Sequence, residues 1–260
     1  MLHTHFGPPN SFKRIQITLC WDGTHFKGWQ SQAKGERTVQ DTLFETLMVF
    51  GEARKPVAAG RTDTGVHAQR MPIHVDLIDN YPIPIERLAH ALNHKLPHDI
   101  SVLDAQYAPL HFHARHSCLW RHYLYRIHTH PCRSPLEHNR ALWVPYELDL
   151  AKLNIGLQQL IGTHDFKAFS SKEDRTTRCT LLNATASQSN NILELEFRGR
   201  SFLRHMVRGM VGALLQLGRG NIAPHDIEKA LQGNPGPLGP NANPCGLYFM
   251  GAGYPHRPEL

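Results

Sequence analysis

The stretch Phe12–Trp21, FKRIQITLCW, gives the first clear fold signal in the chain. From Ile15 onward every second side chain is apolar, which is the period of a β-strand with one face in a core. Thr38 can then cap a helix, because Asp41 stands three residues later and an apolar stripe follows. The chain is therefore expected to start with a half-buried strand followed by an amphipathic helix.

The next elements complete a split βαβ pattern. We predict a strand end at 57–60, an extended segment at 73–77, a helix at 85–96 that Pro97 stops, and a strand at 100–103. The second half repeats this order. It predicts a strand at 120–128, a helix that Asp149 caps and that ends at Gly162, a strand at 191–197, helices at 202–217 and 225–232, and an irregular Pro- and Gly-rich loop at 233–245.

The predicted fold class is α+β. It consists of two similar ferredoxin-like, split βαβ halves with mixed, largely antiparallel sheets flanked by helices, and an active-site cleft between the halves. The predicted domains are a loose N-terminal tail at 1–11, an N-terminal α+β domain at 12–110 and a C-terminal α+β domain at 111–260.

Composition excludes several classes of protein. With 260 residues, 41% of them apolar and 19% charged, the chain can bury a substantial core, which excludes a disordered chain and a disulfide-stapled mini-protein. The five cysteines form no Cys-x-x-Cys pair, which favours a reducing cytoplasm. Neither a signal peptide nor a stretch long enough to span a bilayer stands out, so we expect a cytoplasmic protein without a membrane partner.

The net charge of +6 is unevenly distributed. Residues 1–110 carry 11 basic and 11 acidic side chains, whereas residues 111–260 carry 17 basic and 11 acidic ones. Arg outnumbers Lys by 19 to 9, and its planar guanidinium suits phosphates and base edges. A polyanionic partner such as a nucleic acid is therefore favoured, with its surface mainly in the second half.

The loop Gly60–Ala68, GRTDTGVHA, is the strongest candidate for chemistry. It follows a predicted strand and brings Arg61, Asp63 and His67 within seven positions, between glycines that allow a sharp turn and a close ligand. Nearby cations keep a carboxylate ionised and available as a nucleophile. The alternative is a plain turn, since Asp-Thr-Gly is common turn chemistry.

Arg208 is a second candidate because it lies among apolar neighbours in a predicted helix, with Arg204 one turn earlier on the same face. A long charged side chain in such surroundings favours a carboxylate partner, and Asp63 is the leading choice. The alternative is that Arg208 extends its charged end to solvent along the surface of the core.

The run His111–Tyr125 interleaves cations with aromatics, a pattern typical of RNA contact. An aromatic ring such as that of Tyr123 or Tyr125 could stack on a base while Arg115 and Arg121 meet phosphates, although cross-strand aromatic packing would also explain either tyrosine. The histidines here and at 128–132 lack a recurring zinc spacing, and no phosphate-binding glycine loop is present. We therefore expect neither a metal nor a nucleotide cofactor.

Taken together, these residues resemble the TruA-type tRNA pseudouridine synthases. The signature loop Gly60–Ala68 resembles the loop that carries the catalytic Asp of that family. The resemblance spans nearly the whole chain through ordered satellite motifs. These are Asp22-Gly23, Phe26-Lys-Gly28-Trp29-Gln30, Leu96-Pro97-His-Asp99-Ile100, Phe112-His113-Ala114-Arg115, His205-Met206-Val207-Arg208, Gly246-Leu247 and Tyr254-Pro255.

The resemblance implies a role for each matching residue. Asp63 would be the nucleophile, Arg208 its ion-pair partner, Arg61 the residue that flips or holds the nucleotide, and Tyr123 the platform on which the uracil stacks. It also implies pseudouridine formation at positions 38, 39 and 40 of the tRNA anticodon arm, a homodimer, and no cofactor. Further substrate contacts are expected from four residues: His67, Arg115, Arg121 and Arg204.

Two positions depart from the family pattern. Trp21 stands where the family usually has Tyr, and Arg70-Met71-Pro72 replaces Gly-Gln-Val after the signature loop. Pro72 removes a backbone donor from a predicted strand, so we expect a local adjustment or an edge position there, with the chemistry unaffected. Two other function classes stay open on the residues alone, a non-catalytic RNA-binding protein and a metal-dependent hydrolase that uses the histidines.

Overall fold

The computed structural model describes residues 7–33, 35–171, 176–233 and 238–255. The chain divides into two compact units after Leu119, and the residues from Phe249 onward rejoin the first unit. The sequence placed this boundary earlier, at residue 110, and kept the C-terminus in the second domain. Residues 1–6 of the predicted tail and 234–237 of the predicted loop lie outside the described residues.

The first unit has the predicted strand-helix-strand-strand-helix-strand order. The elements are β1 (Phe12–Trp21), α1 (Val39–Phe50), β2 (Val57–Ala58), β3 (His67–Ile78), α2 (Ile85–Asn93) and β4 (Ile100–Tyr107). The sheet of this unit runs β4-β1-β3, with β2 on the far side of β3, and all these pairings are antiparallel.

The second unit repeats the first five elements of that order in β5, α3, β8, β9 and α4, with the short strands β6 and β7 on either side of α3. Its sheet runs β5-β9-β8-β7 with antiparallel pairs, and β6 pairs parallel with β5. The predicted α+β class with two similar halves is therefore confirmed. The elements are β5 (Trp120–His128), β6 (Leu142–Trp143), α3 (Leu150–Leu160), β7 (Gly162–Asp165), β8 (Arg178–Ser189), β9 (Ile192–Gly199), α4 (Met206–Gly218), α5 (Pro224–Leu231) and β10 (Leu247–Gly253), which passes into the first unit after Tyr248.

The helix caps follow from the sequence. The Thr38 hydroxyl accepts a hydrogen bond from the backbone N–H of Asp41 at 3.2 Å, and the Asp149 carboxylate accepts one from that of Lys152 at 3.0 Å. Each cap satisfies a donor that the first helical turn leaves without a backbone partner. The beginnings of α1 and α3 therefore agree with the prediction.

Helix α4 begins later than predicted, at Met206 and not at Phe202. His205 has a left-handed backbone conformation, with φ of 63°, which cannot continue a right-handed helix. Arg204 consequently lies before the helix, so the prediction that it shares a helical face with Arg208 was wrong. Helix α2 likewise ends at Asn93, three residues before the predicted end.

Pro72 is accommodated inside the sheet. It lies opposite Thr18 of β1, and its carbonyl oxygen accepts a hydrogen bond from the Ala59 N–H at 2.9 Å, on the β2 side. Because the N and C=O of one strand residue point to the same side, the missing N–H of Pro72 faces away from β1. The ladder to β1 keeps its bonds, and the local adjustment is a register shift between Leu19 and Trp21.

A buried polar cluster fixes the segment that ends the first unit. Arg14, only 4% exposed, makes two hydrogen bonds of 2.8 Å to the Asp76 carboxylate and donates to the Phe112 carbonyl at 2.8 Å. His74 Nδ1 accepts the N–H of Ala114 at 3.1 Å. Residues 112–114 are thereby tied to β1 and β3, which presents the exposed Arg115 from a fixed base.

The histidines of this cluster predict how stability depends on pH. Burial, aided by the charge of Arg14, lowers the pKa of His74 from 6.5 to about 3, and burial beside His116 lowers the pKa of His113 to about 4. The unfolded chain takes up these protons below pH 6.5, whereas the folded chain takes them up only near pH 3 to 4. The stability they provide is therefore complete above pH 6.5 and falls as the pH drops towards 4.

Replacing His74 should weaken this acid sensitivity. In His74→Asn the amide oxygen can still accept the Ala114 N–H, but one titrating group is lost. We expect the free energy of unfolding, measured by urea titration from pH 7 to 4.5, to fall less steeply, by up to about 1.4 kcal/mol per pH unit. His98→Asn, at an exposed site, should keep the wild-type slope. A wild-type slope in His74→Asn would contradict the assignment.

Candidate active-site loop

The loop 59–66 connects β2 to β3 and carries the proposed nucleophile. Asp63 is half-buried and Arg61 is exposed. The Val66 N–H donates to the Asp63 carbonyl at 3.2 Å, which closes a tight turn around the Asp. The predicted combination of carboxylate and guanidinium on one strand-end loop is therefore present.

A neighbouring backbone segment, residues 21–30, holds this loop on both sides of Asp63. The Trp29 N–H donates to the Thr62 carbonyl at 3.1 Å, and the Gly65 N–H donates to the Phe26 carbonyl at 3.3 Å. Because backbone atoms make both bonds, the position of the loop does not depend on flexible side chains. Asp63 lies between two fixed points.

Two glycines make this approach possible. Gly28 has a φ of +86°, and a Cβ there would lie 2.5 Å from the Thr62 carbonyl oxygen. A Cβ at Gly23 would overlap the carbonyl of Val66. Glycine is needed at both positions because any side chain would push segment 21–30 away from the loop.

Trp21 and His67 add side-chain contacts behind the loop. The Trp21 indole N–H donates to the Val66 carbonyl at 3.0 Å, so this departure from the family pattern has a supporting contact. His67 Nδ1 accepts the Gly23 N–H at 3.0 Å, and the side chain is 2% exposed. That burial leaves little surface for the predicted substrate contact and gives His67 a supporting role.

The second unit carries Tyr123 on β5. Tyr123 is 7% exposed, lies opposite Phe197 on β9, and its ring meets the Phe202 ring edge-on at 4.9 Å between centroids. These contacts hold the Tyr123 ring in a defined orientation. Tyr125, two residues later, is fully buried, its hydroxyl donates a hydrogen bond to the Asn243 carbonyl at 2.6 Å, and burial raises the pKa of its phenol.

Arg208 is fixed at the start of α4. Its Nε donates to the Ala242 carbonyl at 2.8 Å, while its own carbonyl accepts the Ala242 N–H at 3.0 Å. A Cβ at Gly209 would overlap the Phe169 carbonyl, so this helical turn also packs tightly on its other side. Arg208 is half-buried and anchored, and its pairing with Asp63 stays a prediction.

The remaining candidate arginines lie nearer the surface. Arg121 donates to the Arg200 carbonyl at 2.9 Å, and Arg204 is exposed, with its carbonyl bonded to the Ser171 N–H at 3.1 Å. Among the predicted site residues, the structure places Arg61 and Asp63 in the loop 59–66 of the first unit and His67 at the first position of β3. Tyr123, Arg121, Arg204 and Arg208 belong to the second unit, and Arg115 to the first.

The described residues contain no group of three or more His, Cys, Asp or Glu side chains arranged to hold a metal ion. None of the helices formed by these residues is long and apolar enough to cross a membrane.

Comparison with known proteins identifies the class. The sequence profile of the tRNA pseudouridine synthase family matches residues 20–117 and 157–255. The match includes the Asp63 loop, segment 21–30, and the start of α4 with Arg208. The chain belongs to the tRNA pseudouridine synthase family, and it is an isomerase that acts on uridines of tRNA.

Individual relatives match over nearly their whole length. The chain is 44% identical to a tRNA pseudouridine synthase A of Thermus thermophilus over 250 residues, which are 94% of this chain and 98% of the relative. It is 38% identical to the protein of that name from Neisseria meningitidis serogroup C, covering 95% and 96% of the two chains. For the Allorhizobium ampelinum protein the identity is 39%, covering 93% and 95%.

The close approach at Gly28 predicts a specific loss of activity. In Gly28→Ala the added Cβ meets the Thr62 carbonyl, so the loop must shift, and we expect the rate of pseudouridine formation to fall about 10- to 100-fold. Gly35→Ala is the matched control, because Gly35 also has a positive φ, +97°, but has open space around it. Urea unfolding should show a cost of about 1 kcal/mol from the unfavourable φ in both variants, and a larger total cost in Gly28→Ala, where the loop must also shift. Equal activity of the two variants would contradict the role of the contact.

Proposed function

We propose that this enzyme converts uridines at positions 38, 39 and 40 of the tRNA anticodon arm to pseudouridine, with Asp63 as the nucleophile. The observation that carries the proposal is the half-buried carboxylate of Asp63 on a loop fixed by backbone bonds on both sides. A reacting group held in this way has little freedom to lose when the substrate arrives.

The reaction needs no co-reactant. The bond between N1 and the ribose C1′ breaks, the uracil turns, C5 bonds to C1′, and the proton lost from C5 is balanced by one gained at N1. An ionised Asp63 can attack C1′, add to C6 of the base, or remove the C2′ proton to give a glycal, and all three routes use the same carboxylate. The result is an isomer, with no net redox change or hydrolysis.

Other residues serve base extrusion and binding. Taking a uridine out of its stack costs a few kcal/mol, and one aromatic platform returns about 1–3 kcal/mol. Tyr123, with its ring oriented by Phe202, is proposed as that platform. Arg61, exposed on the same loop as Asp63, holds the flipped nucleotide. Arg208, anchored by Ala242, acts as the ion-pair partner of Asp63.

The basic surplus of residues 111–260 supports a tRNA-binding surface formed mainly by this part of the chain. Arg115, Arg121 and Arg204 are proposed to contact tRNA phosphates, which makes binding salt-dependent. A homodimer that binds tRNA across both subunits and a cytoplasmic location complete the proposal.

Replacing Asp63 tests the nucleophile. Asp63→Asn keeps the size of the side chain but cannot act as a carboxylate, so tritium release from C5-labelled uridine in tRNA should fall below detection while gel-shift affinity for tRNA persists. Asp104→Asn, at an exposed carboxylate on β4, is the matched control and should stay fully active. Full activity in Asp63→Asn would overturn the assignment.

Mapping the product tests the substrate positions. We expect carbodiimide primer extension on tRNA from cells lacking this gene to show loss of pseudouridine at 38, 39 and 40, with purified enzyme restoring it. Restoration at other positions would contradict the anticodon assignment. If the purified protein shifts tRNA on a gel yet forms no pseudouridine, the alternative of a non-catalytic RNA-binding protein would be supported. If strong chelation abolishes activity, the alternative of a metal-dependent hydrolase would be favoured.

A further inference from the structure

Segment 21–30, which holds the Asp63 loop, is itself held by an ion pair that no sequence pattern predicts. The guanidinium of Arg37 makes two hydrogen bonds to the carboxylate of Asp99, both at 2.7 Å. Arg37 precedes α1 and Asp99 precedes β4, so the pair joins parts of the first unit that are 62 residues apart in the chain. Two parallel bonds to one guanidinium fix the orientation of both side chains.

Each member of the pair also holds segment 21–30 directly. The Asp99 carbonyl accepts the Asp22 N–H at 2.9 Å, and the Arg37 carbonyl accepts the Lys27 N–H at 2.9 Å. The guanidinium of Arg37 lies over the Phe26 ring, with its central carbon 4.1 Å from the ring centroid. The pair therefore contacts this segment at three points between residues 22 and 27.

One residue connects these contacts to the catalytic loop. Phe26 is 1% exposed, and its carbonyl accepts the N–H of Gly65, two residues after Asp63. The ring of Phe26 lies under the Arg37 guanidinium, while its backbone bonds to the loop. A displacement of Arg37 or Asp99 would therefore reach the Asp63 loop through a single well-packed residue.

The ion pair stabilises the charged form of both of its members. The hydrogen bond from Arg37 holds the pKa of the Asp99 carboxyl below its usual value, and the same bond raises the pKa of Arg37. The two side chains are 38% and 24% exposed, which is typical of pairs that contribute modestly to global stability. Variants of this pair are therefore expected to fold.

We propose that Arg37 and Asp99 form a positioning pair that holds the Asp63 loop in its reactive position. This inference rests on the proposed role of Asp63 as nucleophile. Neither residue touches the reacting atoms in this account, and both act through Phe26 and the backbone of residues 22–27. Their loss should lower the rate of the chemical step and leave the affinity for tRNA largely unchanged, because displacements of about 1 Å can cost up to 100-fold in rate.

The test compares Asp99→Asn with Glu137→Gln. Both changes turn a carboxylate into an amide and raise the net charge equally. Glu137 is matched in its surroundings, since it is 25% exposed and bonds Arg126 at 3.0 Å in the second unit. We expect the single-turnover rate at saturating enzyme to fall about 10-fold or more in Asp99→Asn, with the Kd for tRNA within about 3-fold of wild type. Glu137→Gln should match wild type in both measurements.

Arg37→Lys adds a conservative variant. It keeps the positive charge but loses the two-pronged bond and the flat contact with Phe26. Its rate should lie between those of wild type and Asp99→Asn. In the double variant the two losses should not multiply, because both changes disrupt the same contact. An unchanged single-turnover rate in Asp99→Asn, or a loss confined to tRNA affinity, would overturn the proposal.

Hydrogen exchange distinguishes failure of this inference from failure of the proposed function. The peptide covering residues 59–68 should exchange faster in Asp99→Asn than in wild type or Glu137→Gln. If Asp63→Asn were active and this exchange still rose, the positioning of the loop would stand and the nucleophile assignment would fail. If the exchange stayed at the wild-type rate, the positioning pair would be wrong whatever the activity of Asp63→Asn.

Discussion

The contact between two backbone segments, residues 21–30 and the loop 59–66, is the constraint on which the candidate active-site loop depends. Two carbonyls, those of Phe26 and Thr62, accept the N–H groups that fix the loop on either side of Asp63. The contact exists only because Gly23 and Gly28 have no side chains. Trp21 and His67 also pack behind the loop, so the fold of the first unit sets the position of the loop.

Much of the fold could be predicted because its signals are local. Strands β1 and β5 match their predicted bounds, since the alternation of apolar side chains marks a strand locally. The prediction that β1 is half-buried was wrong, because its residues 14–19 are buried on both faces of the sheet. Strand β8 was not predicted, because a register shift between Leu181 and Asn183 interrupts its alternation. The late start of α4 was also hidden, because the left-handed conformation of His205 is set by its surroundings and has no composition signal.

In the candidate site, too, features within one short segment could be predicted, whereas contacts between residues far apart in the chain could not. Asp63 and Arg61 could be named as candidates because the chemistry of the loop is concentrated in nine consecutive residues. The contacts that support the loop could not be predicted, because their partners are far apart in the sequence and meet only in the folded chain. Phe26 bonds Gly65 in this way, and Arg37 bonds Asp99. The number of basic residues likewise overstates the cations available to RNA, because Arg14 and Arg126 are paired with carboxylates.

The central claim is that the Asp63 loop is already fixed in the free enzyme. It is tested most directly by amide hydrogen exchange, followed by NMR, at Trp29 and Gly65 in the absence of tRNA. Protection of both amides close to that of the β1–β3 ladder is the predicted result. Exchange as fast as that of an exposed loop amide such as Gly35 would contradict the claim, because the loop would then be fixed only when tRNA binds.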